Sequence, residues 1–256
     1  MFRDLLVCIV EDHHEIRNYL SGIFSHHFRV KSFEHGRACF ESLKEELPDL
    51  IVSDIMMPEM DGNELCKRIK ETDATSHIPV IMLTALSSIE NRLEGMEARA
   101  DEYVSKPFHL KYLLLKCYNL LERKEKEREH FQKHFFRGKK SRPENTLDAR
   151  FVDKLYEIME KNLDDSGFQI DDLSREFAMN RTQFFKKTKS VTSLTPYELL
   201  KNFRLNRAAA MLSSKEYTVS EVFFLTGFKS RTHFTKLFTE LFGISPGKYI
   251  KQSKKS

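Results

Sequence analysis

Short apolar runs alternate with amphipathic segments through the first 120 residues of this chain. Five apolar runs predict strands near residues 5–10, 28–33, 50–54, 79–84 and 102–105. Five helical patterns follow them, near residues 14–25, 36–46, 62–71, 89–98 and 109–122. Strands that alternate with helices indicate a parallel sheet covered on both faces. We therefore expect an α/β doubly wound domain with a five-stranded parallel sheet.

Side chains suited to phosphoryl chemistry follow four of the predicted strands. Asp54 ends the third run, in the string IVSDIMMPEMDG, and the others are Glu11, Asp12, Thr84 and Lys106. Parallel sheets carry their chemistry at the carboxyl ends of the strands, so these side chains can converge at one edge. Three acids, a hydroxyl and an ammonium can hold Mg²⁺ and accept a phosphoryl group on a carboxylate.

The order of four motifs links this region to a known family. Residues 5–122 contain IVED, IVSDIMMPEMDG, IPVIMLTA and YVSKPF in sequence, and they resemble the receiver domain of two-component response regulators. The resemblance implies a flavodoxin-like fold, a histidine kinase as phosphodonor and Asp54 as phosphoacceptor. The implied Mg²⁺ ligands are Glu11, Asp12, Asp54 and the carbonyl of Met56. The implied ligands of the phosphoryl oxygens are Thr84 and Lys106, and Tyr103 would move with Thr84.

One turn departs from the receiver pattern. Receivers usually carry a glycine before the acidic residue that precedes the fifth strand, whereas this chain reads EARADEY. Arg99 or Ala100 therefore occupies a turn that favours glycine, and we expect a strained or shifted backbone there.

An internal repeat organises the second half of the chain. IDDLSREFAMNRTQFFKKTKS begins at Ile170, and VSEVFFLTGFKSRTHFTKLFTE begins 49 residues later at Val219. At this offset Phe185 matches Phe234 and Lys187 matches Lys236. The Thr195-Pro196 and Ser245-Pro246 pairs close the repeat at an offset of 50, after one inserted residue. Each copy predicts a helix-turn-helix, with the turns at Ala178-Met179 and Gly227-Phe228.

The second half resembles the AraC/XylS-type DNA-binding domain over residues 150–252. The resemblance rests on NFRLNRAAAMLSS, VSEVFFLTGF and SRTHFTKLFTELFGISPGKYI. It implies that residues 180–190 and 230–242 are recognition helices in successive major grooves. The candidate contacts of the first helix are Arg181, Thr182, Gln183, Lys186 and Lys187. Those of the second helix are Ser230, Arg231, Thr232, His233 and Lys236.

The spacing of apolar residues divides the second recognition helix into two faces. Phe234, Leu237, Phe238 and Leu241 follow the i, i+3, i+4, i+7 pattern and predict the core stripe. Arg231, Thr232 and His233 precede this stripe at the helix N-terminus, where arginine can contact a guanine edge in a bidentate manner. In the first copy, Ser193 stands where such domains usually carry glycine.

Charge and composition agree with a receiver half followed by a DNA-binding half. The chain has a net charge of +4, but residues 1–119 carry −6 and residues 143–256 carry +5. A basic second half favours double-stranded DNA as partner. The four cysteines show no CxxC spacing, and the longest N-terminal apolar run, Leu5 to Val10, is too short to span a membrane. We expect a cytoplasmic protein with reduced thiols and no membrane segment.

A charged segment separates the two halves. Residues 119–142 interleave Glu with Lys and Arg, which predicts an exposed extension of the last receiver helix. The string GKKSRPEN reads equally well as a hinge or as a disordered tether. The predicted domains are therefore a receiver at 1–122, a linker at 123–146 and a DNA-binding domain at 147–256.

The functional prediction is a DNA-binding transcription regulator of a two-component phosphorelay, without enzyme activity, that forms homodimers when phosphorylated. Receiver pairing would use the predicted fourth helix, fifth strand and fifth helix. The same ending is similar to the C-terminal part of hybrid sensor kinases, so an excised part of such a membrane protein is one alternative. An aspartyl phosphatase needs a second acid at position 56, where this chain has Met. A kinase-binding protein without productive DNA binding is the third alternative, which the composition of the recognition helices disfavours.

Overall fold

The chain divides into two compact units, Met1–His130 and Phe131–Ser256. The structure, a computed structural model, describes residues 2–85, 99–135 and 147–253. The predicted helix at 89–98 and the predicted hinge at 137–146 lie outside these residues. The domain boundaries at 122 and 146 stay predictions.

The N-terminal unit is built on one parallel sheet. Its strands are β1 (Leu6–Val10), β2 (Arg29–Phe33), β3 (Leu50–Asp54), β4 (Val80–Thr84) and β5 (Glu102–Ser105). They lie in the order β2-β1-β3-β4-β5, and every neighbouring pair is parallel. This is the flavodoxin-like order, so the predicted five-stranded doubly wound sheet is confirmed.

Helices cover both faces of the sheet because its strands send alternate apolar side chains to each side. The described helices that begin in this unit are α1 (His14–Phe24), α2 (Gly36–Ser42), α3 (Gly62–Glu71) and α4 (Leu110–Phe135). Val7 and Ile9 of β1 share a core with residues of α1 and α4. Cys8 and Val10 share the opposite core with residues of α3 and with Cys39 of α2.

Helix α4 continues well past the receiver core. Among residues 110–129 the last buried side chains are those of Leu120 and Leu121, yet the helix runs on to Phe135. Ion pairs between residues three or four apart occur along this part, including Lys124 with Glu127 and Arg128 with Glu125. The charged segment is therefore a helical extension of the last receiver helix over residues 122–135, as its charge pattern predicts.

The turn before β5 has the strained geometry that its sequence predicts. Arg99 has φ 55°, a left-handed conformation that costs a non-glycine residue energy. The next acid holds the chain in place, because the Asp101 carboxylate accepts hydrogen bonds from the Val80 N–H at 2.9 Å and from Lys70 Nζ at 2.6 Å. The contacts of Asp101 with α3 and β4 thus hold the turn in this conformation, although it lacks a glycine.

The C-terminal unit is entirely helical over its described residues. Its helices are α5 (Leu147–Lys161), α6 (Ile170–Glu176), α7 (Arg181–Thr192), α8 (Pro196–Ser214), α9 (Val219–Leu225), α10 (Arg231–Phe242) and α11 (Pro246–Ser253). Helices α6 and α7 form the first helix-turn-helix pair, α9 and α10 form the second, and α8 lies between them in the chain. The predicted repeat of helix-turn-helix units is confirmed.

The structure corrects the register of the repeat. The left-handed turn residues Ala178 and Gly227 are 49 positions apart, whereas the N-caps of α7 and α10, Asn180 and Ser230, are 50 apart. The extra residue therefore lies in the turn of the second pair, before the recognition helix rather than after it. Matching Phe185 with Phe234 and Lys187 with Lys236 was wrong by one position. The counterparts of Phe184, Lys186 and Lys187 are Phe234, Lys236 and Leu237.

Both recognition helices end in a left-handed residue. Ser193 has φ 58° after α7, and Gly243 has φ 75° after α10, again 50 positions apart. The serine adopts the conformation that glycine adopts in the second copy, so the turn is kept at some cost in backbone strain.

Two sequence expectations concern the whole chain. None of the four cysteines, all of which lie in the part of the chain that the structure describes, forms a disulfide, and all four are buried. Among the helices of residues 2–85, 99–135 and 147–253, none combines the length and the apolar character that a membrane span requires.

Candidate phosphoacceptor site and candidate nucleic-acid interface

Three carboxylates meet at the carboxyl edge of the sheet. Glu11 and Asp12 follow β1, and Asp54 ends β3 beside it. One carboxylate oxygen from each lies within 4.8 Å of the others. Glu11 and Asp54 are buried while Asp12 is exposed, so the cluster opens to solvent on one side. Hard oxygen donors at this spacing fit Mg²⁺, which prefers carboxylate ligands and retains water molecules.

An ammonium group lies within the same cluster. Lys106 Nζ donates a hydrogen bond to Glu11 Oε2 at 2.9 Å and lies 3.1 Å from Asp54 Oδ2. The backbone sets this position, because the Lys106 N–H donates to the carbonyl of Thr84 at 2.6 Å where β4 ends. The structure therefore brings Glu11, Asp54 and Lys106 together from three strands.

Burial and charge act against each other in this cluster. Burial raises the pKa of the Glu11 carboxyl, Lys106 opposes that rise, and the nearby charge of Asp54 adds to it. Burial also works against the Lys106 ammonium, but hydrogen bonds and attraction to Glu11 and Asp54 leave its pKa raised. Three carboxylates facing one ammonium leave an excess of negative charge that a further cation would offset.

The loop after β3 packs tightly against the acceptor. The Gly62 N–H donates to the Ile55 carbonyl at 2.9 Å, and a Cβ added at Gly62 would lie 2.1 Å from the Asp54 carbonyl oxygen. Only glycine fits this approach. Met56 lies within the same loop, and its side chain is 71% exposed.

The predicted switch residues lie on neighbouring strands. Thr84 ends β4 and pairs with Ser105, while Tyr103 of β5 pairs with Met82. Residues two apart on a strand share a face, so Thr84 and Tyr103 lie on the same side of the sheet. Tyr103 is 37% exposed at the edge strand, and partial burial raises the pKa of its hydroxyl. This placement suits the predicted coupling, which stays a prediction.

Helix α10 presents a polar face to solvent. Arg231, Thr232, His233 and Lys236 are exposed, and the Ser230 hydroxyl caps the helix by accepting from the His233 N–H at 3.3 Å. The exposed face forms a shallow depression lined by Arg231, Thr232, Thr235, Lys236, Thr239 and Glu240. Most of the predicted contacts of this helix are therefore accessible together.

Helix α7 exposes fewer of its predicted DNA contacts than α10 does. Arg181 and Thr182 are exposed, while Gln183 and Lys186 are half-buried. The Gln183 side chain accepts a hydrogen bond from the Asn180 N–H at 3.4 Å, and Asn180 caps the helix in return. Gln183 thus has a structural task at the helix N-terminus in addition to its predicted contact with DNA.

Two predictions on the recognition helices are wrong. Lys187 has a relative exposure of 0% and pairs with the Asp148 carboxylate, so it cannot reach DNA from this position. Leu241 is 42% exposed, and Phe242 packs in its place against Phe238, with ring centroids 4.5 Å apart. Phe234 and Phe238 are fully buried, and Leu237 packs against the same cluster, as predicted.

Comparison with known proteins assigns both halves. Residues 7–117 match the family of response regulator receiver domains, and residues 173–252 match a family described as helix-turn-helix domain. The chain carries a response regulator receiver domain followed by a helix-turn-helix domain of the AraC/XylS type.

Several relatives share one or both domains. "Histidine kinase P4" of Formosa agariphila is 36% identical over 247 residues, which is 95% of this chain and 18% of that protein. "Response regulator MprA" of Mycolicibacterium vanbaalenii is 34% identical over 118 residues, or 46% of this chain and 50% of that protein. This chain therefore spans half or less of the length of these relatives.

A solved structure also resembles the receiver domain. It is the signal receiver domain of a signal transduction histidine kinase from Syntrophus aciditrophicus. The two are 34% identical, and the likeness covers 46% of this chain and 90% of that one, with a TM-score of 0.45.

Sequence reasoning missed several residues of both domains. Gly62 stands out in the receiver domain only once its contact with Asp54 is known, although its place in the string PEMDG was a signal. Thr235 and Thr239 follow Arg231 at helical spacing, so the exposed face of α10 could have been extended to them. Asp148 lies 39 residues from Lys187, and the sequence offers no signal that pairs them.

Proposed function

We propose that this chain is a DNA-binding transcription regulator whose receiver domain is phosphorylated on Asp54. The observation that carries the proposal is the position of Lys106 Nζ, 2.9 Å from Glu11 and 3.1 Å from Asp54, beside the exposed Asp12. A lone carboxylate is a poor nucleophile toward a phosphorylated donor, because negative charge accumulates as the group transfers. An ammonium already in contact with the acceptor offsets that charge.

The residues of the cluster have separate tasks in the proposed transfer. An oxygen of Asp54 attacks the phosphorus of a phosphohistidine on the kinase partner. The new O–P bond forms as the N–P bond breaks, and the imidazole leaves with the electron pair and is protonated by solvent. Lys106 and the Thr84 hydroxyl bind the oxygens of the transferred group. Tyr103 then moves with Thr84.

A magnesium ion is the cofactor that this donor set fits. Glu11, Asp12, Asp54 and the Met56 carbonyl would hold it. When bound, the ion supplies positive charge for the phosphoryl oxygens. Lys106 Nζ already lies between Glu11 and Asp54, where it can bind an oxygen of a phosphoryl group on Asp54.

The proposed output is sequence-specific binding to double-stranded DNA. Helices α7 and α10 would lie in successive major grooves, with Arg181, Arg231, Thr232 and His233 near base edges and Lys236 near phosphates. Phosphorylation of Asp54 would pair receivers and thereby bring two DNA-binding domains to one site.

Two measurements test this function. With Mg²⁺ and acetyl phosphate, intact mass should rise by one phosphoryl group, and Asp54→Asn should block the rise. The wild-type chain, with and without the phosphodonor, should then enrich duplexes from a random-sequence pool, with stronger enrichment when phosphorylated. Normal labelling of Asp54→Asn, or no enrichment in either state, would contradict the proposal.

One comparison supports a second candidate function, in which these two domains are the output part of a longer protein. The match to "Histidine kinase P4" places nearly all of this chain within 18% of a longer protein. The same two domains can thus serve as the output of a protein that includes a kinase. Immunoblotting of source cells distinguishes the two arrangements, because a separate regulator gives a band near 30.2 kDa and a hybrid protein gives a much larger one.

A further inference from the structure

A charged side chain occupies the core of the first recognition helix. Phe184, Lys187, Thr188 and Thr192 form the buried face of α7, and all four have a relative exposure of 0%. Lys187 Nζ donates to the carboxylate of Asp148 in α5, and it lies 5.5 Å from the centre of the Phe151 ring in the same helix. Lysine is almost never buried to this extent without a partner, because removing its charge from water is costly.

The second recognition helix fills the same position with an apolar residue. Leu237 is the counterpart of Lys187, and it packs among the buried side chains around Phe234. The exposed Lys236, with 72% of its side chain accessible, is instead the counterpart of Lys186. The first helix-turn-helix pair therefore has a buried ammonium, paired with a partly exposed carboxylate of α5, where the second has ordinary core packing.

Apolar contacts around Lys187 hold α5, α6 and α7 together. Phe151, Phe177 and Phe184 come from the region of all three helices, with ring centroids 4.6 to 6.1 Å apart. Such contacts are less directional than an ion pair, so they constrain the angle of α7 less than the contact of Lys187 with Asp148 does. An ammonium that must meet one carboxylate allows only one arrangement, and this is the best-supported role of buried charges.

We propose that Lys187 and Asp148 are a positioning pair that sets the orientation of the first recognition helix against α5. Lys187 does not contact DNA. It determines how Arg181 and Thr182, both exposed on α7, meet base edges in the first half of the site. The inference rests on the proposed DNA-binding function and names residues that control its specificity.

Hydrogen–deuterium exchange of the full chain without DNA tests whether the pair holds α7 in place. Asp148→Asn leaves a buried ammonium without its carboxylate, so amides of 181–192 should exchange faster while those of 231–242 do not change. Asp148→Asn/Lys187→Met removes the buried charge, which should restore the melting temperature. Residues 181–192 should still exchange faster than in the wild type, because the directional contact is gone. Wild-type exchange in this double variant would mean that the pair is merely structural, which overturns the inference.

Duplexes that the wild-type chain selects from a random pool supply the second readout. The double variant should lose on the order of tenfold in affinity for them. Its base preference should relax only in the half-site of the first pair, and the salt dependence of binding should not change. Lys236→Met is the matched control, since removal of an exposed phosphate contact should reduce the salt slope by about one.

A direct contact of Lys187 with DNA phosphate would give a different set of results. If Lys187→Met lowers the salt slope as Lys236→Met does, and Asp148→Asn does not weaken binding, Lys187 contacts phosphate and the inference is wrong. If Asp148→Asn does not fold, Lys187→Met carries the exchange test, because it buries no unpaired charge. If the wild-type chain selects no duplex, the proposed function fails, while exchange in 181–192 still decides whether the pair orients α7.

Discussion

The α-carbon of Gly62 lies so close to the carbonyl of Asp54 that a Cβ at residue 62 would be 2.1 Å from that oxygen. The start of α3 thereby packs directly on the backbone of the proposed phosphoacceptor. Any side chain at this position has to move either the helix or Asp54.

We expect Gly62→Ala to destabilise the receiver domain by about 1–3 kcal/mol and to slow labelling of Asp54 by acetyl phosphate. Urea denaturation and intact-mass kinetics measure the two effects. Gly22→Ala in α1 is the matched control, because an added Cβ there would meet no atom of the described residues within 4 Å. That change should raise stability by about 0.5–1 kcal/mol. Equal stability and equal labelling rates in Gly62→Ala and Gly22→Ala would contradict the close contact.

The capping box at the start of α8 should make stability depend on pH. Hydrogen bonds from the Thr195 hydroxyl and backbone N–H lower the pKa of Glu198. A lowered folded-state pKa means that the stabilisation is present above the ordinary pKa of 4.5 and is lost as the pH falls through the lowered value. Glu198→Gln should therefore cost about 0.3–1 kcal/mol at neutral pH.

Denaturation at several pH values measures this difference between Glu198→Gln and the wild type. The two curves should converge as the pH falls below 4.5. A difference that stays constant into the acid range would show that the charge of Glu198 is not the cause.

Arg231 and Lys236 should affect DNA binding in different ways. Arg231→Ala should cost about 1–3 kcal/mol and relax the preference at one base position, because arginine at the helix N-terminus reads a base edge. Lys236→Ala should weaken binding evenly across sequences and reduce the salt slope. Binding titrations on a panel of single-base variants check both. If Arg231→Ala changes neither affinity nor preference, the orientation assigned to α10 is wrong.

Phosphorylation should favour receiver dimers through β5 and α4, which is the helix predicted at 109–122. Tyr112 and Leu115 are exposed three residues apart on α4, while the predicted helix at 89–98, which would complete the surface, lies outside the described residues. Leu115→Lys should abolish phosphorylation-dependent dimers in sedimentation without slowing labelling of Asp54. Tyr19→Lys, at an exposed aromatic of α1, is the control. An unchanged dimer fraction in Leu115→Lys would exclude this surface.

The phosphoryl group on Asp54 should be long-lived. By resemblance to receivers, the positions two residues after Asp54 and Thr84 flank the path of the attacking water. Here they carry the exposed Met56 and Leu86, which lies outside the described residues. A methionine cannot orient that water, whereas a polar side chain can. Met56→Asn should therefore speed loss of phosphate from the isolated chain at neutral pH with Mg²⁺, and Met56→Leu should not. Identical decay in all three proteins would remove position 56 from the control of lifetime.

Much of the site was predictable because its residues depend on local patterns. Each strand of the sheet begins and ends within one residue of its predicted bounds, since apolar runs of this length have few alternatives. Parallel strands then bring their carboxyl ends to one edge, which is why Glu11, Asp54 and Lys106 could be placed together in advance. The strained turn at Arg99 was also visible, because a missing glycine is a local property.

The errors fall where a contact depends on the relative position of two elements. A single extra residue in the turn before α10 shifted the alignment of the repeat. Lys187 consequently appeared equivalent to the exposed Lys236 rather than to the buried Leu237. In the same way, helical spacing selected Leu241 for the core, but packing against Tyr249 draws in Phe242 instead.

The sequence by itself determined the five strands, the two helix-turn-helix units and the residue types at the strand ends, because these follow from the periodicity of apolar residues and from local composition. Only the tertiary structure decided which lysine of α7 is buried, which carboxylate it meets and how closely Gly62 approaches Asp54. These relationships depend on the distance between side chains that are far apart in the chain, and no local pattern encodes that distance.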